Sequence, residues 1–213
     1  MAEKKKNVRY TTPAGIASWP KLRVADTQFN AEGEFGVKLL LDPNKPETQP
    51  FLTKLDGMAE AALVEMKKEN PKFAKVMKLV TPYANELDKE GNETGKIVLN
   101  FTMPAVIRNK EKTKEWKLKP VIFDATLTPL PEEQDVGGGS TIIVSFESWP
   151  YFNAKDKEAG ITRRLVAVQV LDLKQWNGSV DAASFGFAAA EGFTVNEPAT
   201  SVASAPTDEA PEF

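Results

Sequence analysis

From Lys96 to Met103 the side chains alternate without a fault, with Ile97, Leu99, Phe101 and Met103 on one side and Lys96, Val98, Asn100 and Thr102 on the other. A period of two over that length predicts a strand with one buried face. FGVKLLLDP at 35–43 predicts a second strand, stopped at Asp42-Pro43, and residues 8–19 read as an opening extended segment broken by Pro13 and Gly15. One segment has a different rhythm. From Thr48, which reads as an N-cap, Phe51, Leu55, Met58, Ala59, Ala62, Leu63 and Met66 recur at spacings of three and four until Asn70-Pro71, so a helix with a core-facing stripe is expected. A shorter helical piece is expected over Phe73 to Leu79, and the polar stretch 88–95 reads as a turn. Further strands are expected from Val121 to Phe123, fading at Pro129 and Pro131, then over 141–152 and 161–174. Five or six strands and one firm helix fit a small, partly open β-barrel carrying an inserted helix, with a sandwich left open by pattern alone.

Composition removes whole classes of chemistry from this frame. The chain has 213 residues, no Cys and no His, so disulfides, zinc fingers, catalytic thiols and imidazole bases are all excluded. No apolar run approaches the roughly 18 residues of a membrane span, and the basic start MAEKKKNVRY lacks the apolar stretch of a secretory signal. A cytoplasmic protein with no membrane association is expected.

The net charge of −3 is a sum of opposites. The last basic residue is Lys174, and beyond it lie Asp181, Glu191, Glu197, Asp208, Glu209 and Glu212, so the body carries +3 and the end −6. Basic residues cluster at Lys4, Lys5, Lys6 and Arg9, at Lys21 and Arg23, and most densely at Arg108, Lys110, Lys112, Lys114, Lys117 and Lys119. An acidic end on a locally basic body suits a polyanion binder with its own competitor, and equally a solubilising tail on an ordinary surface. From Glu197 the sequence EPATSVASAPTDEAPEF is too small and polar to offset the entropy of ordering, and is read as disordered. The rings Phe185, Phe187 and Phe193 before it fit either the body or the tail. The expected division is a domain over 1–180 and a flexible acidic tail over 181–213.

Two apparent motifs fail on spacing. Gly137-Gly138-Gly139 precedes a strand rather than a helix N-terminus, so it reads as a flexible lead-in to a hairpin and not as a phosphate cradle. Asp88, Glu90 and Glu93 place Glu93 where a calcium loop needs Gly and Leu99 where it needs a carboxylate. No catalytic residue, metal site or cofactor is therefore assigned.

What remains is an association of rings with cations, repeated in three places. Trp19 precedes Lys21 and Arg23, Phe101 precedes the basic segment that contains Trp116, and Trp149, Tyr151 and Phe152 precede Lys155 and Lys157. Unpaired nucleic acid stacks its bases on aromatic faces while its phosphates require Lys and Arg, so this is the chemistry of sequence-tolerant strand binding. Arg108, Lys110, Lys112, Lys114 and Lys117 are expected to neutralise phosphates, and Trp116, Tyr151 and Trp19 to stack on bases. Core packing is the alternative for any single ring, above all for Phe101.

The order of several segments resembles the OB-fold single-stranded DNA-binding proteins of short-tailed coliphage-type replication systems. The segments are TTPAGIASWPKL, FGVKLLLDPNKP running into a helix, TPY before an acidic turn, NKEKTKEWK, VGGGS, WPYFN and a closing strand ending LDL, from about residue 10 to 174. The final DEAPEF, ending in Phe213, completes the likeness. The resemblance implies a mainly β protein with a five-stranded OB barrel that covers single-stranded DNA in replication, recombination and repair within the infected bacterial cytoplasm, without enzymatic activity. It also implies homodimers, and an acidic tail whose Asp208, Glu209, Glu212 and Phe213 contact replication proteins such as DNA polymerase and helicase/primase and compete with DNA. Tyr151 matches an aromatic used for DNA, and Tyr83 aligns similarly. Met103 stands where relatives place a DNA-contacting Tyr, and the tail is short and lightly charged. The DNA-binding set is thus Trp19, Lys21, Arg23, Tyr83, Phe101, Arg108, Lys110, Lys112, Lys114, Trp116, Lys117, Tyr151 and Phe152. A β-barrel virion or assembly protein is the alternative from another class, and an oxygen-ligated metal nuclease comes third.

Overall fold

A computed structural model describes residues 8–109, 111 and 113–175, and the acidic tail, Lys110 and Lys112 lie outside them. In chain order the elements are β1 (Arg9–Thr11), β2 (Gly15–Asp26), β3 (Glu34–Leu41), α1 (Thr48–Glu69), β4 (Lys78–Leu79), β5 (Ala84–Leu87), β6 (Glu93–Pro104), β7 (Val106–Arg108), β8 (Glu115–Lys117), β9 (Val121–Phe123), β10 (Thr141–Glu147), β11 (Pro150–Asn153), β12 (Glu158–Ile161) and β13 (Arg164–Asp172).

Five of these close on themselves in the order β2-β3-β6-β13-β10, with β10 pairing again with β2. Numbered along the barrel alone, the strands run 1-2-3-5-4-1, and the third and fifth, β6 and β13, are parallel. This is the arrangement of an OB-type barrel. The barrel closes most thinly at the β6/β13 seam, where Arg164 pairs with Thr102 and the Thr102 amide donates to the Arg163 carbonyl at 3.3 Å.

The barrel forms because each wall strand has one apolar face. Phe35, Val37, Leu39 and Leu41 of β3 sit opposite Met103, Phe101, Leu99 and Ile97 of β6, and all eight are buried. Ile142, Val144 and Phe146 of β10 and Leu165, Val168 and Val170 of β13 fill the other wall. Phe146 is the hub, with ring centroids 5.2 Å from Phe101, 5.6 Å from Tyr10 and 6.4 Å from Phe51 on α1. Leu52, Leu55, Ala59 and Ala62 of α1 join this core, so the expected stripe is present and extends to Leu52. A smaller cluster of Met66, Met77 and Ala159, with Leu63, Phe73 and Phe152 against it, lies under the far end of α1.

Several expectations are corrected. Thr48 does not cap α1: Glu47 holds the N-cap position without a side-chain bond, and the Thr48 hydroxyl is buried with no hydrogen-bond partner. Residues 73–79 are not helical. After Pro71 the chain makes turns held by bonds from Phe73 to Asn70, Ala74 to Pro71 and Val76 to Phe73, and then enters β4, which pairs with β12. The strand expected over 141–152 breaks into β10 and β11, and the one expected over 161–174 starts only at Arg164, because Trp149 and Thr162 bond to each other where β11 and β12 turn off into a separate small sheet. The triglycine segment is pinned, with Gly137 donating to Lys174, Gly139 to Ala17, and the buried Ser140 hydroxyl bonded to Gly137 and Lys174. Among the described residues no helix is long and apolar enough to cross a membrane.

Candidate nucleic-acid interface

The outward face of the β2, β3 and β6 wall carries a groove of roughly 490 Å³. Its floor is Gly36 and the outward residues Lys38, Asn100 and Thr102; Trp19, Lys21 and the β2–β3 loop residues Gln28, Phe29 and Asn30 form its rims, with Asp26 and Glu34 at the loop end. Cross-strand register makes this a continuous surface, with Lys21 opposite Gly36, Gly36 opposite Thr102, and Lys38 opposite Asn100.

Trp19 stands out for a local reason. Between the pairs Ser18–Lys38 and Lys21–Gly36, β2 spends one residue more than β3, a bulge of the sort that redirects a side chain. Pro20 has no amide hydrogen to give the ladder, and Trp19 takes a positive φ of 49°, an expensive conformation for a large side chain. The result is an indole 77% exposed.

The surface continues across the seam to β13. Arg163 donates from Nε to the Asn100 carbonyl at 3.1 Å, and Arg164, the neighbour of Thr102, stacks its guanidinium 5.8 Å from the Trp149 ring centroid. Burial pushes the Arg163 guanidinium below its ordinary pKa, and the Tyr151 phenol beside it works in the opposite direction. Among the described residues no carboxylate pairs with Arg163, Arg164, Lys21 or Lys38. At ordinary strand spacing the band from β2 to β13 is about 14 Å wide. Tyr151 is half-buried on β11, its ring packed against Gly160, where an added Cβ would come within 3.3 Å of it.

The basic segment 108–117 is a hairpin rather than a loop. Val106 pairs with Lys117, Ile107 with Trp116 and Arg108 with Glu115, while Asn109 and Lys114 close the turn. Trp116 is 47% exposed, and Lys114 and Lys117 project freely. The hairpin is tied to the β2–β3 loop, since the Ala105 amide donates to the Gly33 carbonyl and Arg108 bonds Glu32.

Five of the expected contacts are therefore placed otherwise. Phe101 is fully buried against Phe146, because its position in the β6 alternation faces the core. Phe152 packs on Phe73 at 5.3 Å within the smaller cluster. Arg23 is spent on structure, donating to the carbonyls of Leu130, Pro131 and Gln134 at 2.8, 2.6 and 3.2 Å. Arg108 is held between Glu32 and Glu115, whose bonds to it stabilise its charged form but also satisfy it. Tyr83 lies away from the groove lining, its hydroxyl donating to Asp56 on α1 at 3.1 Å, and burial first, then Asp56, raises its pKa. Met103 is buried on the core face of β6, opposite Phe35. Lys110, Lys112 and the tail residues Asp208, Glu209, Glu212 and Phe213 lie outside the described residues.

Sequence reasoning missed Phe29, Lys38, Arg163 and Arg164, and noted Trp149 among the rings beside cations without carrying it into the binding set. Of the four missed, only Phe29 left a signal, a lone ring among Thr27, Gln28 and Asn30 where no core pattern holds it. Among the described residues no three carboxylates converge to hold a metal ion. Flat rings beside uncompensated cations, on a continuous surface, can hold a flexible polyanion that carries planar groups.

Comparison with known proteins gives the same direction. Residues 14–173 match the family described as single-stranded DNA-binding protein, bacteriophage T7. Single-stranded DNA-binding proteins of Enterobacteria phage T3 and Escherichia phage T7 are each 27% identical, over 154 and 157 residues, which are 70% and 71% of this chain. The matched region spans about two thirds of their length, 66% and 67%. In fold, the chain superposes on the crystal structure of gp2.5, a single-stranded DNA-binding protein encoded by bacteriophage T7, with a TM-score of 0.64 and 18% identity, over 89% of this chain and all of that one. A structure of the bacteriophage Enc34 single-stranded DNA-binding protein in complex with single-stranded DNA gives a TM-score of 0.51 and 15% identity, over 82% and 98%. With a barrel of this order, a ring-and-cation band on its outer wall and a family match over three quarters of its length, the chain belongs to the bacteriophage T7 single-stranded DNA-binding protein family.

Proposed function

We propose that the protein binds single-stranded DNA with little regard to sequence and covers it during phage DNA replication, recombination and repair in the infected bacterial cytoplasm. The observation that carries this reading is Arg163, a half-buried guanidinium with no carboxylate partner among the described residues, set between Tyr151 and the Asn100 edge of a groove rimmed by exposed rings. A phosphate is the complement such a cation lacks. Phosphates would run along Lys21, Lys38, Arg163 and Arg164, with Lys114 and Lys117 on the hairpin as an extension. Bases would stack on Trp19, Tyr151 and Trp116, each worth about 1–3 kcal/mol. The test is an oligo-dT titration with and without magnesium, followed by a gel. Binding with intact DNA supports the reading, whereas cleavage in magnesium would replace it with a nuclease.

The proposal extends to residues 181–213 as an acidic tail after a barrel domain that ends near residue 180, with Asp208, Glu209, Glu212 and Phe213 read by DNA polymerase or helicase/primase, and to pairing with a second copy. The charge split supports competition between the tail and DNA for the basic surface. Truncation after Asn196 is therefore expected to tighten oligo-dT binding, most at low salt where screening is weakest. Equal affinities for full-length and truncated chains, measured by anisotropy at two salt concentrations, would limit the tail to protein partners.

A further inference from the structure

The groove beside Trp19 is chemically divided along its length. Lys38 stands at one end, Lys21 lies beside the Gly36 floor between, and Asp26 and Glu34, paired across β2 and β3, stand at the other end. Lys38 and Glu34 are four residues apart on one strand, about 13 Å at extended rise, which is the scale of one nucleotide from its phosphate to the far edge of its base. The acidic end repels a phosphate. It attracts a hydrogen-bond donor, and the donors of a nucleic acid are its base amines and imino groups.

The walls suit a planar occupant. Phe29 is 92% exposed at the tip of the β2–β3 loop and Trp19 is 77% exposed on the bulge, and both line the same groove over the side-chain-free floor of Gly36. An added Cβ at Gly36 would approach the Phe101 carbonyl to 3.2 Å, so this position is kept bare where a flat ring would lie. Holding two large rings in water, one of them with a positive φ, costs stability that burial in the folded chain does not return. Asp26 already uses Oδ1 to accept from the Gln28 amide at 2.8 Å, which fixes the carboxylate at the groove end.

We propose that this groove is a nucleobase pocket. Trp19 and Phe29 embrace one base lifted out of the bound strand, Lys21 and Lys38 take its phosphate, and Asp26 and Glu34 accept from its exocyclic amine. The inference rests on single-stranded DNA binding as proposed above, and adds a base preference to it. Cytosine offers the two N–H donors of its N4 amine, whereas thymine's single N3–H donor lies between the O2 and O4 acceptors, which the carboxylates repel, so the pocket favours cytosine over thymine. The two pyrimidines are of similar size, so comparing them isolates the edge contact.

The experiment is fluorescence anisotropy of labelled oligo-dC and oligo-dT of equal length on the full chain, on Phe29→Ala and on the Asp26→Asn, Glu34→Gln double variant. Phe29 lies in solvent and the amides keep the acceptor oxygen that Asp26 gives to Gln28, so folding is preserved. The full chain should bind oligo-dC at least fivefold tighter than oligo-dT, and Phe29→Ala should weaken oligo-dC about tenfold, the loss of one stacking wall. Removing two negative charges raises affinity for both oligomers, and because each amide presents a donor as well as an acceptor, serving thymine O4 as readily as cytosine N4, the ratio between them should fall to near one. A full-chain ratio of one, a ratio unchanged in the double variant, or Phe29→Ala binding like the full chain overturns the pocket while leaving strand binding intact. No binding of either oligomer overturns both.

Discussion

Replacing Arg163 by alanine is expected to lower the affinity for oligo-dT ten- to a hundredfold while leaving the barrel folded. The magnitude follows from losing a charge-assisted hydrogen bond in a partly desolvated site, about 1.5–3 kcal/mol. Two other consequences separate a phosphate contact from a purely structural role. The salt dependence should flatten by about 0.7 in the slope of log affinity against log salt, the share of one phosphate on a single strand. Arg163→Lys should retain most of that slope but not the full affinity, because a lysine supplies the charge without the planar fork that also reaches the Asn100 carbonyl. Calorimetric melting of the variants checks the barrel, whose seam retains the backbone bond between Thr102 and Arg163. An unchanged slope with a lowered melting temperature would assign Arg163 to closing the seam alone.

Phe101→Ala is the opposite case. It should cost about 3–5 kcal/mol of folding stability, the usual penalty for emptying an aromatic site in a core. The ring is fully buried and faces Phe146, which in turn touches Tyr10 and Phe51, so the cavity lies where barrel and helix meet. Whatever fraction remains folded should bind oligo-dT with ordinary affinity. Urea unfolding coupled to binding below the transition measures both quantities. A stable Phe101→Ala variant with weakened DNA binding would return that ring to the interface.

These two residues show why the sequence was readable in one place and silent in another. The alternation around Phe101 is local, and a period of two already says which side faces inward, even though ring-and-cation pairing draws attention to the same residue. The stripe on α1 was legible for the same reason. Arg163 carries no such signal, because its burial and its carbonyl partner come from pairing β13 with β6, whose Asn100 is 63 positions away. The basic segment 108–117 hid a hairpin because charged side chains occupy both of its faces and leave no alternation, while the pairing depends on Asn109 and Thr113 closing the turn. The break at Trp149 was masked by continuous β-formers on either side. Arg23 and Arg108 read as free cations in sequence, since their carbonyl and carboxylate partners lie in distant or separately folded segments.

Phosphates of a single strand are expected to be neutralised along the outer barrel wall by cations that lack carboxylate partners among the described residues. Four of these lie on the wall, Lys21, Lys38, Arg163 and Arg164, and Lys114 and Lys117 extend the set on the hairpin. The most direct measurement is the affinity of the full chain for oligo-dT, followed by tryptophan fluorescence across a series of salt concentrations. With about −0.7 per phosphate, four to six contacts predict a slope of log affinity against log salt between about −3 and −4, together with quenching as bases meet the exposed indoles. A slope near zero, or fluorescence unmoved at saturating DNA, would contradict it.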